Sequence, residues 1–128
     1  MMNREIKFRA WDLDNNTMIY YPKWSTLHRK SVLYFSEKND TYVDESDNNN
    51  NVVLMQFTGL QDTNNKDIYE GDILEDYTYD DHIFHKVDFF EGTFSLENEF
   101  NERAGWVCER NQSCVVIGNI YQHPELLD

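Results

Sequence analysis

The fold is predicted most readily from the segment Tyr69-Glu70-Gly71-Asp72-Ile73-Leu74. Glycine adopts backbone angles that other residues avoid, and here it is followed by an aspartate and two aliphatic residues. A chain with this pattern bends sharply and then enters a strand, as small β-barrels do where a meander begins. The segment therefore predicts a tight bend followed by a β-strand.

Outward from this bend, apolar alternation with a period of two dominates over helical spacing. Ile6 to Ala10 and Thr17 to Tyr21 flank an Asp/Asn-rich turn and predict a hairpin, and Lys86 to Phe90 with Thr93 to Leu96 predict a second one around Glu91-Gly92. Further strands are predicted at Val32 to Phe35, Thr41 to Val43, Val52 to Thr58, Gly105 to Glu109 and Cys114 to Tyr121. Residues 97–104 fit a helical turn or a loop. The predicted class is mainly β: a small bent sheet or barrel-like β domain with long loops and a short C-terminal helical turn after Pro124.

The chain length of 128 residues fits one domain. A chain of this length buries about two-thirds of the surface that it exposes when unfolded, so it can fold without disulfides or metals. We therefore expect a single domain over residues 1–128. The polar segment 44–51 contains four consecutive asparagines and cannot contribute to a core. A boundary between two lobes, if the domain has one, is predicted in this loop.

The net charge of -13 is unevenly distributed. Residues 39–102 carry two Lys or Arg against seventeen Asp or Glu, whereas residues 1–38 carry seven against four. An acidic field repels phosphate backbones, so direct nucleic-acid binding is not expected, and a basic protein or a cation is the favoured partner. The open alternative is that the charge only keeps the domain soluble. The basic first third, with Arg4, Lys7, Arg9, Lys23, Arg29 and Lys30, also predicts head-to-tail assembly with the acidic middle of another copy.

Signals for export are missing from this sequence. The start has no apolar segment typical of a signal peptide, and no uncharged apolar run approaches membrane-spanning length. Cys108 and Cys114 are separated by five residues, which fits neither a redox CxxC pair nor a zinc knuckle. We therefore expect reduced thiols, a cytoplasmic location and no membrane association.

Candidate metal ligands occur in two places. Asp12, Asp14 and Asn16 match the first positions of a calcium loop, but Thr17 and Lys23 stand where Gly and Glu are needed. The densest set of potential ligands is Asp80, Asp81, His82 and His85. On a strand the odd offset would send the two imidazoles to opposite faces, so we expect no metal and no other cofactor.

No nucleophile elbow, phosphate-binding glycine loop or dinucleotide fingerprint occurs in the sequence. The acidic residues are too numerous for any one pair to indicate catalysis. The sequence therefore predicts no enzyme, although a metal-dependent hydrolase built on Asp80, Asp81, His82 and His85 is the alternative from another class.

Three blocks of the sequence agree in order with one protein family. They are Ile6-Lys7-Phe8-Arg9-Ala10-Trp11-Asp12, then Leu54 to Asp62 with Ile68 to Ile73, and finally Val116 to Tyr121 with Pro124 to Leu127. Together they resemble the YopX family of phage and prophage proteins. The resemblance implies a mainly β protein that forms oligomers in a bacterial host cell, and it supplies no catalytic residues. It also marks positions expected to determine the fold: Trp11, Gly59, Tyr69, Gly71, Asp72, Gly118 and Asn119.

The resemblance and the charge together predict a phage or prophage accessory protein that works through its surface. A non-enzymatic, oligomeric protein-interaction module is the favoured function. The alternative within the same class is an acidic mimic of nucleic acid that inhibits a DNA- or RNA-binding enzyme, since carboxylates can stand in for phosphates.

Overall fold

A computed structural model describes residues 5–20, 22–27, 30–35, 41–44, 52–80 and 82–127. For residues 22–44 the description covers the backbone of the strands alone. The chain divides into two compact units: a main unit of residues 1–7 and 56–128, and a second unit of residues 8–55. The lobe boundary predicted in segment 44–51 lies, apart from Asp44, outside the described residues.

The second unit contains two antiparallel arrangements. Strand β1 (Phe8–Asp12) pairs with β2 (Thr17–Ile19), so the predicted first hairpin is confirmed. Strands β3 (Pro22–Leu27), β4 (Lys30–Phe35) and β5 (Thr41–Asp44) form a three-stranded sheet. Strand β6 (Val52–Gln61) starts in this unit and continues into the main unit.

The main unit is built on a five-stranded antiparallel sheet. In space the strands follow the order β11 (Arg103–Trp106), β10 (Thr93–Asn98), β9 (Ile83–Phe90), β8 (Asp72–Asp76) and β12 (Cys114–Asn119). The end of β6 pairs with the short strand β7 (Asp67–Tyr69). The mainly β class predicted from the sequence is confirmed.

Helical structure in the described residues is limited to short segments near the C-terminus. Helix α1 (Val107–Arg110) is followed by a 3₁₀ turn at Asn111–Ser113, and a second 3₁₀ turn at Pro124–Leu127 confirms the predicted terminal turn. The strand predicted at Gly105 to Glu109 is wrong beyond Trp106. The chain leaves the sheet there because Val107 turns into the core, where it is fully buried. Within the described chain no helix is long and apolar enough to cross a membrane.

The core of the main unit fills the inner face of the five-stranded sheet. Its fully buried members come from strands β7, β8, β9, β10 and β12 and from helix α1: Ile68, Leu74, Val87, Leu96, Val107 and Cys114. Burying a side chain of leucine size stabilises a fold by about 1.5–3 kcal/mol, so this cluster is a major source of stability. Leu60, Phe94, Ala104 and Val116 pack around its edge.

The Tyr69 to Leu74 bend has the geometry expected from its sequence. Gly71 has a φ of 84°, in the region that favours glycine. The buried carboxylate of Asp72 accepts a hydrogen bond of 2.8 Å from the Tyr69 N–H, which holds the two sides of the bend together. The Gly71 N–H donates to the Val87 carbonyl at 2.8 Å, so the bend is fixed directly to β9.

Candidate interaction surface

One face of the main sheet presents large aromatic side chains to solvent. Asp88 lies opposite Ser95, Phe90 opposite Thr93, and Ser95 opposite Trp106 in the antiparallel register. Residues directly opposite each other share a face, as do residues two apart in a strand. These five residues therefore lie on one face, here called the β9–β11 face. Phe90 is 44% exposed and Trp106 is 52% exposed.

The tight turn between β9 and β10 fixes the register of the two strands and therefore which residues lie on this face. Glu91 and Gly92 both have positive φ, 51° and 82°, as a two-residue hairpin turn requires. The alternation along β9 then sends Val87 and Phe89 to one side of the sheet and Asp88 and Phe90 to the other. Phe90 therefore lies on the side of the sheet opposite the core residue Val87.

The segments that carry the face also carry exposed acidic residues. Glu91, Glu99, Glu102 and Glu109 are exposed on β9 to α1 and the connecting turns. Arg103 binds Asp88 and lies over the Phe90 ring at 4.0 Å from its centroid, and Lys86, two residues before Asp88, binds Glu97. Apolar anchors and exposed carboxylates therefore occur on the same segments of the chain.

Strand β11 is an edge strand of the five-stranded sheet, and in the part of the chain that the structure describes no strand pairs with its outer side. Strand borders of this kind pair readily with another chain. The register shifts between Leu96 and Glu97, and Gly105 has a φ of 129°, so β11 is irregular. Trp106 stands at the end of this strand, next to the border.

The Asp80 to His85 set does not form one site. His82 is exposed and its Nδ1 lies 2.9 Å from Glu75 Oε1, whereas His85 is buried and its Nε2 lies 3.0 Å from Asp76 Oδ2. Glu75 and Asp76 are consecutive on β8 and therefore point to opposite faces. Asp80 is exposed, and Asp81 lies outside the described residues. Across the described chain no three His, Cys, Asp or Glu side chains are grouped to hold a metal ion.

The structure reveals a buried polar network that the sequence analysis missed. Asp76 is 1% exposed and accepts hydrogen bonds from the Thr78 hydroxyl at 2.5 Å and the Thr78 N–H at 2.9 Å. The Arg110 guanidinium donates to the same carboxylate at 3.3 Å, beside His85. Burial opposes ionisation of Asp76, but the hydrogen bonds from Thr78 and His85 outweigh it, so its pKa lies below the ordinary 3.8.

Cys114 lies opposite Asp76 in the register and is fully buried. Burial raises the pKa of its thiol to about 12, and the Asp76 charge adds to the effect. A thiol of this kind is protonated at neutral pH and cannot act as a nucleophile. The Cys114 thiol therefore adds no nucleophile to the network around Asp76.

The turn at Asp12 is also structural. The Asp12 carboxylate accepts hydrogen bonds from the N–H groups of Asp14 and Asn15 at 3.0 and 3.3 Å. Asn16 has a φ of 50°, which asparagine tolerates better than most residues. The calcium-like spacing of these residues is thus explained by an Asx-type hairpin turn.

The remaining positions marked by the resemblance lie at buried or tightly packed sites. Trp11 and Tyr69 are buried, and Gly59 has a φ of 85° within an irregular part of β6. A Cβ at Gly118 would lie 2.6 Å from His123 Nδ1, which leaves no room for a larger residue. The buried side chain of Asn119 accepts from the N–H groups of Tyr121 and Gln122 and shapes the terminal turn.

The basic first third is described in part. Lys7 binds Asp67 at 2.7 Å within the main unit, and Arg9 is buried with its guanidinium 3.6 Å from the Met55 sulfur. Arg9 is therefore not available to another copy, whereas 31% of the Lys7 side chain is exposed. The side chains of Arg4, Lys23, Arg29 and Lys30 lie outside the described residues, so head-to-tail assembly through them stays a prediction.

Comparison with known proteins identifies the family. Residues 7–128 match the family described as YopX protein. The chain belongs to the YopX family. This confirms the resemblance recognised from the three sequence blocks. No curated protein matches the chain.

Two crystal structures from this comparison share the fold. Protein EF1440 from Enterococcus faecalis is 26% identical, with a TM-score of 0.68 over 98% of this chain and 100% of that one. Protein yopX from Bacillus subtilis is 24% identical, with a TM-score of 0.63 over 95% of both chains. Neither likeness assigns an activity, so a function has to be argued from the surface of this chain.

Proposed function

We propose that the chain is a non-enzymatic protein-interaction module that assembles with copies of itself through the β9–β11 face. The observation that carries this proposal is the pair of half-exposed rings, Phe90 and Trp106, on one face beside the bordering strand β11. Aromatic residues are enriched at the centres of protein interfaces, where each contributes a large apolar area.

The magnitude of the apolar term supports a reversible association. A fully buried aromatic side chain removes about 150–250 Å² from water, so a half-exposed one leaves about 100 Å². Two copies bring together four such rings, which remove about 400 Å² from water in total. At about 25 cal/mol per Å², this area contributes about 10 kcal/mol to the association. Association costs about 4–15 kcal/mol in lost translational and rotational freedom. Because this cost is similar to the apolar gain, the fraction of assembled chains should change with the protein concentration.

The exposed glutamates on the segments that carry this face give it a preference among other partners. Glu91, Glu102 and Glu109 would repel an acidic protein and attract a basic one at long range. A phage or host protein with a basic surface is therefore the proposed second class of partner. The apolar anchors provide affinity, and the glutamates provide selectivity.

The two alternatives have weaker support. A metal-dependent hydrolase would need His82 and His85 at one site, and they contact carboxylates on opposite faces of β8. A nucleic-acid mimic would need a row of uncompensated carboxylates. Several described acids are instead bound to cations, namely Asp67 to Lys7, Asp88 to Arg103 and Glu97 to Lys86.

Light scattering of the full chain tests the proposal. The wild-type mass should rise above the 15.4 kDa of one chain as the protein concentration increases. A double variant, Phe90→Ser with Trp106→Ser, should stay at one chain under the same conditions. The control is Phe100→Ser, which removes the most exposed ring, 74% exposed, at the turn between β10 and β11.

Circular dichroism should show that both variants are folded. The proposal fails if the wild type has the mass of one chain at every concentration, in both low and high salt. It also fails if Phe100→Ser reduces the mass as much as the double variant does, because the β9–β11 face would then have no special role.

A further inference from the structure

The main unit contains a cavity of about 540 Å³ that is separate from the residues of the β9–β11 face. It lies beside the irregular part of β6, where the five residues from Phe57 to Gln61 lie opposite the three residues of β7. Irregular strand segments of this kind often lie next to binding sites. Its volume is within the range of pockets that bind small ligands or single side chains.

The cavity walls combine carboxylates, carboxamides and apolar groups. Glu5, Asp62 and Asp67 supply three carboxylates, and Phe57 and Leu60 supply the apolar part. The carboxamides come from Gln61, Asn65, Asn111 and Gln112. Of the described residues that line the cavity, none is Lys, Arg or His.

Part of this wall is held rigidly. The Asp62 carboxylate accepts hydrogen bonds from the N–H groups of Asn64, Lys66 and Val116 at 2.8–2.9 Å. The Asn111 amide donates to the Gln61 carbonyl at 2.8 Å, and Asn111 is buried. A preformed wall lowers the entropic cost of binding a ligand.

The wall already binds one organic cation from the chain itself. The Lys7 ammonium lies 2.7 Å from Asp67 Oδ2, 3.3 Å from Glu5 Oε1 and 4.5 Å from the centroid of the Phe57 ring. The hydrogen bond to Asp67 raises the pKa of Lys7, so the ammonium form is favoured. These contacts show that the carboxylates and the ring together recognise a cation.

We propose that the cavity binds the guanidinium group of an arginine side chain on a partner protein. The Asp62 carboxylate is held by three backbone N–H groups and Asp67 is bound to the Lys7 ammonium, so the exposed Glu5 is the carboxylate most available to a second cation. A guanidinium has five N–H donors in a planar fork, which suits carboxylates and carboxamide oxygens placed around one volume. A neutral polar group of the same shape lacks the charge that the wall requires.

Nuclear magnetic resonance of the full, ¹⁵N-labelled chain tests this site. Capped arginine, N-acetylarginine methylamide, should cause saturable shifts in the side-chain amide signals of Asn65 and Gln112. Capped citrulline has nearly the same shape without the charge, and it should bind at least tenfold more weakly. Raising the salt concentration should weaken arginine binding, because the charges are partly exposed to solvent.

Three variants separate a specific site from general attraction to an acidic protein. Glu5→Gln should weaken arginine binding about tenfold, and Gln112→Ala should weaken it measurably; both residues are exposed, so neither change threatens the fold. The matched control Glu99→Gln removes the same charge from the exposed turn after β10 and should change nothing. Equal binding of citrulline, equal weakening by Glu99→Gln, or shifts that never saturate would overturn the proposal.

Discussion

The Asp76→Asn variant is expected to lose about 2–3 kcal/mol of folding free energy. Asp76 is 1% exposed, and its carboxylate binds Thr78, His85 and Arg110. Asparagine has nearly the same shape, but its NH₂ group would face donors on Arg110 and Thr78. A hydrogen bond to a charged group contributes about 1.5–3 kcal/mol, and removing one partner of a buried pair costs about 3–5 kcal/mol. Because Arg110 is partly exposed, the expected loss lies in the first of these two ranges, about 1.5–3 kcal/mol.

Urea unfolding followed by tryptophan fluorescence measures this loss. The midpoint should fall with an unchanged dependence on urea, which indicates a change in stability alone. The control is Asp80→Asn, four residues along the chain and exposed, which should stay within about 0.5 kcal/mol of the wild type. If Asp76→Asn behaves like this control, the network does not stabilise the fold and the reasoning is refuted.

The same residue predicts a pH dependence. The pKa of Asp76 is lower in the folded chain than its ordinary 3.8, so below that value the unfolded chain binds the proton more readily. The carboxylate therefore stabilises the fold above about pH 4, and this stabilisation disappears as the pH falls through the folded-state pKa. The difference in unfolding free energy between wild type and Asp76→Asn should shrink as the pH falls below about 4.

Two further predictions concern the thiols and the terminal turn. One thiol per chain, that of exposed Cys108, should react with a disulfide reagent at pH 8, and two should react in denaturant, because Cys114 is buried with its pKa raised to about 12; two reactive thiols in the folded chain would contradict the packing of β12. Gly118→Ala should destabilise the chain by about 1–3 kcal/mol, because its Cβ would meet His123, and His123→Ala should relieve most of that loss in a double-mutant cycle. Simple additivity of the two changes would argue against this contact.

The sequence predicted those parts of the fold that depend on neighbouring residues. The hairpins around Asn15 and around Glu91-Gly92, the bend at Gly71 and the turn after Pro124 are each encoded by a local pattern of turn residues. The ambiguous segment 97–104 became the end of β10, a turn and the start of β11. Here Asn98 Oδ1 accepts hydrogen bonds from the N–H groups of Phe100 and Glu102 and so shapes the turn. The role of Asn98 as a turn residue can be recognised only once the pairing of β10 with β11 is known.

The parts that could not be predicted depend on distant residues. Asp76 meets His85 and Arg110 across 9 and 34 positions, so no spacing rule would have joined them. The odd offset of His82 and His85 predicted opposite faces only for a strand, and His82 precedes β9; the carboxylate that each histidine contacts could not be predicted. The candidate face likewise required the register, since Phe90 and Trp106 share a side only because both strands pair with β10.

Hydrogen exchange read by mass spectrometry, at two protein concentrations, tests self-assembly through the β9–β11 face most directly. The peptide that contains Arg103–Trp106 should exchange more slowly at high concentration, because a second copy covers the bordering strand and the Trp106 ring. Peptides from the buried strand β8 should exchange at the same rate in both samples. An unchanged rate at β11, in samples whose mass rises with concentration, would show that the chain assembles through another surface.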